Sequence, residues 1–351
     1  MARGRDSQPI VRRQPTIFDV ASQAGVSKST VSNVVRGLPG VSAATRLRVQ
    51  GAILELGYRP NVLARQLVQQ RTSTLGVVVG DIANPFFAEL AKSVERHAAA
   101  RGYTAILCNT GGDGESELAG IETLLEYRVA GIVFLRFSGR SHTMQQTLEH
   151  HVPVVFVSCT ADWGDTVSVD DIKGGVLATE HLIGIGHRRI AYLSILEDQD
   201  QSDLSRFEGY RQALLRAGLG PVRWIGWSPP ADHASIDGKE VDLLDIFSGP
   251  DRVTAVFAAY DGAAIALQDF ADRANLRVPK DLSIVGFDDV PTAGMARIAL
   301  TTVAQPRDEL AGLAIATITD RVEQRFNGPP RTQLVGVSLV IRRSTAPPST
   351  A

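Results

Sequence analysis

The stretch TIFDVASQAGVSKSTVSNVV, residues 16–35, has the spacing of two short helices joined by a tight turn. Thr16 and Asp19 stand three residues apart, as in a capping box, where each side chain satisfies a free backbone N–H at the start of a helix. Gly25 can adopt the positive φ that ends such a helix at low cost. The stretch therefore predicts a helix, a turn of a few residues and a second helix.

The second predicted helix, capped by Ser27 and running from about Lys28 to Val35, has one apolar and one polar face. Val31 and either Val34 or Val35 occupy the apolar face at helical spacing. The polar face carries short hydrogen-bonding side chains, as a helix in the DNA major groove requires. A plain helical hairpin is the alternative, but it does not account for so many such side chains on one face. We expect base edges to be contacted by Lys28, Ser29 and Asn33. We expect phosphates or sugars to be contacted by Thr30, Ser32 and Arg36.

A third helix is predicted from about 43 to 56, capped by Ser42 and ended by Gly57. The next segment, capped by Asn61, has about nine residues, too few to stay helical alone in water. Leu67 is an apolar side chain on this otherwise polar and basic segment. It either packs on a neighbouring element or acts as a wedge between base steps in the minor groove.

Charge is divided unevenly along the 351 residues. Residues 1–71 hold eleven Lys and Arg against three Asp and Glu, a formal charge of +8, which leaves −10 for the remainder. A small basic head on a larger acidic body is typical of a protein that binds a polyanion through the head. Residues 1–14 are predicted to be a disordered basic arm.

The sequence also argues against several classes of protein. No apolar run approaches the roughly 20 residues that span a bilayer, and the N-terminus lacks the apolar core of a secretion signal. Cys108 and Cys159 form neither a metal-type spacing nor a disulfide framework, so we expect a reduced, cytoplasmic protein. There is no P-loop, no G-x-S-x-G and no histidine pair at i, i+4. We therefore expect no enzyme activity, no metal and no cofactor.

From Leu75 onward, short apolar runs alternate with amphipathic helical segments. LGVVVGDI, YTAILCNT, GIVFLRF and PVVFVSC are continuous apolar runs, as expected for buried parallel strands. A second series follows, RRIAYLSIL, TAVFAAYD and LSIVGFDD, with helices predicted near 206–217 and 262–274. This pattern predicts two doubly wound α/β lobes.

In such folds, ligands bind outside the carboxyl ends of the strands, here in the cleft between the lobes. Several polar and aromatic side chains follow strand ends and are therefore candidate effector contacts. An Asp in such a place can instead cap the following helix, and that alternative carries more weight for Asp289 than for Asp261. The remaining candidates from the strand ends are Asp81, Asn84, Phe86, Phe87, Tyr260, Asp261 and Asp288.

From Thr16 to Val68 the sequence resembles the LacI/GalR family of bacterial transcriptional regulators. The resemblance implies a homodimer that reads a near-palindromic operator, with paired hinge helices and Leu67 opening the central base step. Asn33 stands where some members have Arg, and Asn favours adenine over guanine. The resemblance also implies further DNA contacts beyond the α2 side chains already named. These residues are Thr16, Ser27, Asn61, Ala64, Arg65 and Leu67.

The body resembles the same family over nearly its whole length. Arg206, in SDLSRFEGY, matches the position whose guanidinium holds the effector, and Asp288, the first Asp of GFDD, matches the acceptor for ligand hydroxyls or ring nitrogens. An Asp–Arg pair framed by aromatic rings suits a sugar or polyol. The resemblance also implies crossings between the lobes, by which a helix near 308–325 returns to the first lobe and the strand LVGVSLVIR returns to the second.

These inferences predict a helix-turn-helix headpiece with a hinge helix, followed by a two-lobed, periplasmic-binding-protein-like α/β body. The predicted function is an effector-controlled repressor, active in the cytoplasm as a dimer. A transport-type binding protein shares the two-lobed body but would need a secretion signal and no DNA-binding head. The predicted boundaries are 15–60 for the headpiece, 61–74 for the hinge, 75–171 with 304–333 for the first lobe, 172–303 with 334–344 for the second, and 345–351 for a disordered tail.

Overall fold

The computed structural model divides the chain into two compact units, Met1–Thr72 and Ser73–Ala351. It describes residues 15–59, 72–111, 114–136, 145–146, 148, 152–159, 161–194, 201–220, 223–236 and 238–349. The predicted arm 1–14 and the hinge candidates lie outside the described residues; those candidates are Asn61, Ala64, Arg65 and Leu67.

The described part of the first unit contains three helices: α1 (Ile17–Ala24), α2 (Lys28–Val35) and α3 (Ala43–Leu56). Each contributes a fully buried valine, namely Val20, Val31 and Val49, to one small core. On α3 the second buried position is Ala52, whereas Ile53 and Leu56, which stand at helical spacing from Val49, are only half-buried. A small side chain lets α3 approach α1 closely.

The first lobe of the second unit is a parallel sheet of six strands, in the order β13-β5-β4-β3-β1-β2. β2 lies at an edge and is half-exposed, unlike the continuously buried strand that its sequence predicted. The strands are β1 (Thr74–Val79), β2 (Thr104–Asn109), β3 (Gly131–Phe134), β4 (Val154–Val157), β5 (Asp165–Val169) and β13 (Thr332–Val335).

The second lobe is built on an eight-stranded sheet, in the order β14-β12-β11-β10-β6-β7-β8-β9. Its centre is parallel, while β14 at one edge and the hairpin β8–β9 at the other are antiparallel. The strands are β6 (Ile190–Ser194), β7 (Trp224–Trp227), β8 (His233–Ile236), β9 (Lys239–Asp242), β10 (Ala255–Ala258), β11 (Ser283–Asp288), β12 (Thr301–Ala304) and β14 (Ser338–Val340).

Helices cover the faces of both sheets. α10 (Arg307–Val322) packs on α4 (Pro85–Ala100) and on the first sheet, whereas α6 (Asp171–Gly184) packs on α7 (Gln201–Arg216) and on the second sheet. The described helices of this unit are α4 (Pro85–Ala100), α5 (Gly114–Glu126), α6 (Asp171–Gly184), α7 (Gln201–Arg216), α8 (Leu243–Ile246), α9 (Asp261–Arg273) and α10 (Arg307–Val322).

The structure differs from the sequence prediction near the C-terminus. LVGVSLVIR is not one strand, because β13 pairs with β5 in the first sheet and β14 pairs with β12 in the second. Residues 345–349, predicted as part of a disordered tail, do not form a free tail. Their polar groups bond to the second lobe, as Thr345 does with His181, Ala346 with His187, and Ser349 with the carbonyl of Lys280.

Candidate functional sites

The N-terminal ends of α1 and α2 are organised by short-range hydrogen bonds. Thr16 and Asp19 form the predicted capping box, with the Thr16 backbone N–H and hydroxyl each donating to the Asp19 carboxylate at 2.7 Å. Ser27 Oγ accepts from the Thr30 N–H at 3.1 Å and contacts Ser29 Oγ at 2.7 Å. Gly25 ends α1 with φ +63°, so the chain turns at once into α2.

The outward face of α2 carries the side chains predicted to contact DNA. Lys28, Ser29 and Arg36 are exposed, and the other members of the set, Thr30, Ser32 and Asn33, are half-buried. The Lys28 Nζ lies 5.0 Å from the ring centroid of Phe18, a side chain that is 63% exposed. This cation–π contact limits the directions in which the ammonium group can point. Phe18 was not among the residues predicted to contact DNA.

The second unit contains a cleft of about 470 Å³ between its two lobes. Its walls come mostly from residues at or just beyond the carboxyl ends of strands, as expected for doubly wound sheets. The predicted members of its lining are Asp81, Asn84, Phe86, Phe87, Arg206, Tyr260 and Asp288.

Arg206 is held firmly in this cleft although it is charged and only 8% exposed. Its Nε donates to Asp171 Oδ1 at 2.8 Å, and one terminal nitrogen donates to the Ala259 carbonyl at 2.8 Å. The guanidinium carbon lies 3.8 Å from the centroid of the Phe287 ring. These contacts fix the plane of the guanidinium group before any ligand arrives.

Asp288, at the end of β11, has φ +117°, a value that L residues rarely adopt. Gln305 Nε2 donates to its Oδ1 at 2.7 Å, and Arg307 donates to its carbonyl oxygen at 2.5 Å. Burial raises the pKa of Asp288, against the opposing charge of Arg206. Because Arg307 begins α10, a helix of the first lobe, this contact joins the two lobes beside the cleft.

On the first-lobe side, Asn84 caps α4, its Oδ1 accepting from the Phe86 N–H at 3.0 Å. Phe86 and Phe87 lie edge to face, with ring centroids 5.3 Å apart. Asp81 is exposed, and its carboxylate accepts from the Ala83 N–H at 2.8 Å. The Asn84 amide and the Asp81 carboxylate therefore shape the turn between β1 and α4. The rings of Phe86 and Phe87 then lie on the first-lobe side of the cleft, and Arg206 and Asp288 lie on the second-lobe side.

Comparisons with known proteins match both units of the chain to described families. Residues 16–61 match the family described as bacterial regulatory proteins, lacI family, and residues 179–345 match the periplasmic binding protein-like domain. The ribose operon repressor of Escherichia coli (strain K12) is 37% identical over 328 residues, covering 92% of this chain and 97% of that protein. The chain belongs to the LacI family of bacterial regulatory proteins. It is therefore a DNA-binding transcriptional regulator and not an enzyme, as predicted.

Two solved structures of LacI-family proteins are similar to this regulator. A lac repressor dimer bound to operator and an anti-inducer has a TM-score of 0.79 and 26% identity, covering 95% of this chain and 100% of that chain. A LacI-family regulator from Enterococcus faecium with bound ribose has a TM-score of 0.66 and 26% identity, and the match covers 78% of this chain and 99% of that chain. The predicted fold, a helical headpiece with a two-lobed α/β body, is thereby confirmed.

One predicted effector residue of this LacI-family regulator does not line the cleft. Asp261 is fully buried, and its carboxylate accepts from the Thr302 hydroxyl at 2.6 Å and from the Val290 N–H at 2.8 Å. Burial raises the pKa of Asp261, although these two hydrogen bonds oppose the shift. Its position after a strand end was correctly recognised, but the side chain points into the lobe and fixes the turn after β11.

Six polar residues that line the cleft of this regulator were not predicted from the sequence. One of them, Asp203, lies on α7 three residues before Arg206 and accepts hydrogen bonds from the hydroxyls of Tyr192 and Ser194. Four of the six lie at strand ends, so the same rule could have found them, and helical spacing from Arg206 pointed to the other two, Ser202 and Asp203. The six are Arg136, Ser158, Ser194, Ser202, Asp203 and Gln305.

The described residues of this LacI-family member contain neither a membrane-spanning helix nor a metal-binding cluster. No described helix is both long enough and apolar enough to cross a membrane. In the same ranges, no three His, Cys, Asp or Glu side chains lie together in a way that could hold a metal ion.

Proposed function

We propose that this regulator is a homodimeric repressor that binds a near-palindromic operator and releases it when a pentose such as ribose occupies the cleft. The observation that carries the effector half is the Arg206 guanidinium, held in a fixed plane across the cleft from Phe86 and Phe87. A sugar offers hydroxyls for the planar donors and a ring face for the aromatic side chains. The identity to a ribose operon repressor favours a pentose.

The effector contacts follow from where each side chain lies. Arg206 donates to ligand hydroxyls, Asp288 accepts from them, and the aromatic rings of Phe86 and Tyr260 cover the ligand. Phe87, beside Phe86, adds a second aromatic ring on the first-lobe side, where Asn84 and Asp81 shape the wall. We leave Asp261 out of the effector set because its carboxylate is satisfied inside the lobe.

The DNA-binding half of the proposal rests on α2. Lys28, Ser29 and Asn33 contact base edges, while Thr30, Ser32 and Arg36 contact phosphates or sugars. The hinge segment, with Leu67 as its wedge, orders on the correct duplex and links the headpiece to the lobes. The similar lac repressor dimer on its operator supports two headpieces per site. We place this activity in the cytoplasm, on the nucleoid DNA.

A thermal-shift screen of sugars, polyols and purines tests the effector class. A ligand at 100 times its Kd stabilises the folded state by about 2.7 kcal/mol, which raises Tm by roughly 5 °C for a unit of this size. We expect that shift with D-ribose and none with purines. A purine response without a sugar response would replace the proposed effector class.

A gel-shift titration tests the coupling. Arg206→Ala should keep operator affinity and lose release by ribose, whereas Leu67→Ala should lose operator affinity and keep ribose affinity. Release of Arg206→Ala at the ordinary ribose concentration would remove Arg206 from the effector site. Unchanged operator affinity of Leu67→Ala would remove the wedge.

A further inference from the structure

The ring of Phe18 lies beside the first residue of α2, the helix that we expect in the DNA major groove. Phe18 is the second residue of α1, its side chain is 63% exposed, and it lies outside the small core that the described residues of this unit form. The Lys28 Nζ lies 5.0 Å from the centroid of this ring, within the range of a cation–π contact. The ring therefore contributes more to the position of Lys28 than to the packing of the core.

Lys28 benefits from such a contact because its side chain is long and flexible. The ammonium group ends a chain of four methylene groups, and ordering that chain on DNA opposes binding. A contact that favours one direction in the free protein removes part of this cost in advance. The residues that reach base edges from a recognition helix are those at its N-terminal end, where Lys28 lies.

The hydroxyl groups next to Lys28 are engaged with one another in the helix cap. Ser27 Oγ accepts from the Thr30 N–H at 3.1 Å, and it lies 2.7 Å from Ser29 Oγ and 2.9 Å from Thr30 Oγ1. A hydroxyl has one proton to donate, so these mutual bonds limit what Ser29 and Thr30 can donate to a base. The Lys28 ammonium group, with three N–H bonds, is therefore the main side-chain donor in the first turn of α2.

We propose that Phe18 is a positioning residue that directs the Lys28 ammonium group toward a guanine in each half-site and thereby sets the base preference there. The proposal rests on the base contact proposed above for Lys28. At the major-groove edge, guanine presents two acceptors, O6 and N7, whereas adenine presents N7 beside an amino donor. An ammonium group held in one direction meets both guanine acceptors, and one that turns freely can contact a phosphate instead. Loss of the ring should therefore reduce base discrimination more than it reduces total affinity.

Binding of the full-length protein to duplexes that wild type selects from a randomised library tests this role. Replacing a guanine with 7-deazaguanine removes its N7 acceptor, and the guanine contacted by Lys28 is the one whose replacement weakens wild type but not Lys28→Ala. At that guanine, Phe18→Ala should reduce the effect of the replacement by roughly two- to fivefold per half-site, as expected for an exposed cation–π contact. The proposed dimer places two headpieces on one duplex, so replacement in both half-sites should show about the square of that factor.

Three further variants separate the aromatic face of Phe18 from its bulk. Phe18→Tyr keeps the face and should bind as wild type does, whereas Phe18→Leu keeps a large apolar side chain without the face and should behave as Phe18→Ala. Leu54→Ala, on α3, removes another exposed apolar side chain and should leave the 7-deazaguanine effect unchanged. All of these variants should keep the wild-type Tm, because the replaced side chains are exposed.

The outcomes distinguish this role from the functions on which it depends. A full 7-deazaguanine effect in Phe18→Ala would overturn the role of Phe18 and leave the Lys28 contact intact. A reduced effect in Phe18→Ala that Phe18→Leu does not share would also overturn it, because the side chain would then act through its bulk alone. If Lys28→Ala lost no guanine contact, the proposed base contact and the role of Phe18 would both be wrong. Selection of no sequence by wild type would refute the proposed operator binding itself.

Discussion

Helices α6 and α7 touch backbone to backbone beside Arg206, and a single methyl group should separate them. A Cβ added at Gly175 would lie 2.2 Å from the Arg206 carbonyl oxygen, and one added at Gly209 would lie 2.1 Å from the Ile172 carbonyl oxygen. Ordinary contact begins near 3.4 Å, so Gly175→Ala requires α7 to move away by about 1 Å. The atom that is pushed belongs to Arg206 itself.

The displacement should disconnect Arg206 from its partners. Its hydrogen bonds to Asp171 and to the Ala259 carbonyl are 2.8 Å long, and an added 1 Å takes them beyond hydrogen-bonding distance. Overpacking of this kind costs about 1–3 kcal/mol of stability. A loss of about 1.5–3 kcal/mol in charge-assisted bonds weakens effector binding by roughly 10- to 100-fold.

Isothermal titration with D-ribose and thermal unfolding measure the two effects. Gly184→Ala is the matched control, because it lies on the same helix and its added Cβ meets nothing within 4 Å. It should keep ribose affinity and, with better helix propensity than glycine, stabilise the fold slightly. If Gly175→Ala bound ribose as wild type does and melted at the wild-type temperature, the proposed dependence of Arg206 on this helix contact would be wrong.

Three further outcomes are expected. Asn33→Ala should weaken operator binding by about 1–3 kcal/mol in a gel-shift titration. Ribose affinity should stay unchanged, since α2 belongs to the DNA-binding unit. Unchanged operator affinity would contradict a base contact by Asn33. Arg321→Ala should lower the free energy of unfolding, measured in urea, by about 3 kcal/mol, because it removes the bidentate partner of the buried Asp165 carboxylate at 2.8 and 2.9 Å. Burial alone would raise the pKa of Asp165, but hydrogen bonds from the Arg321 side chain and from the Arg331 backbone lower it. A loss below about 1 kcal/mol would therefore mean that the backbone hydrogen bond is sufficient to stabilise the carboxylate. Burial lowers the pKa of His187, so below about pH 6.5 the unfolded chain binds a proton that the folded chain does not, and the free energy of unfolding should decline as pH falls. His187→Gln should show a smaller decline in Tm than wild type between about pH 7 and 5. An equal decline would assign the pH dependence to other groups.

The headpiece is predictable from sequence because its determinants are local. The capping box of Thr16 and Asp19, the positive φ of Gly25 and the Ser27 cap act within three or four residues, and the buried valines follow helical spacing. The polar face of α2 supplied the expectation that this helix contacts DNA, and the family resemblance added the dimer and the hinge. Less of the body was predictable, since β13 and β14 read as one apolar strand although they belong to different sheets.

The effector cleft shows what only the tertiary structure decided. Sequence located the strand ends, but the direction of each side chain depends on neighbours that are tens of residues away in the chain. Asp261 turns inward because Thr302 and the Val290 N–H bind its carboxylate. Ser158 enters the site because a bond to Val167 holds it at φ +56°, and Gln305 enters because the crossing chain passes Asp288. Local patterns encode helices and turns, whereas a buried polar site is set by which partners the packed chain brings within hydrogen-bonding distance.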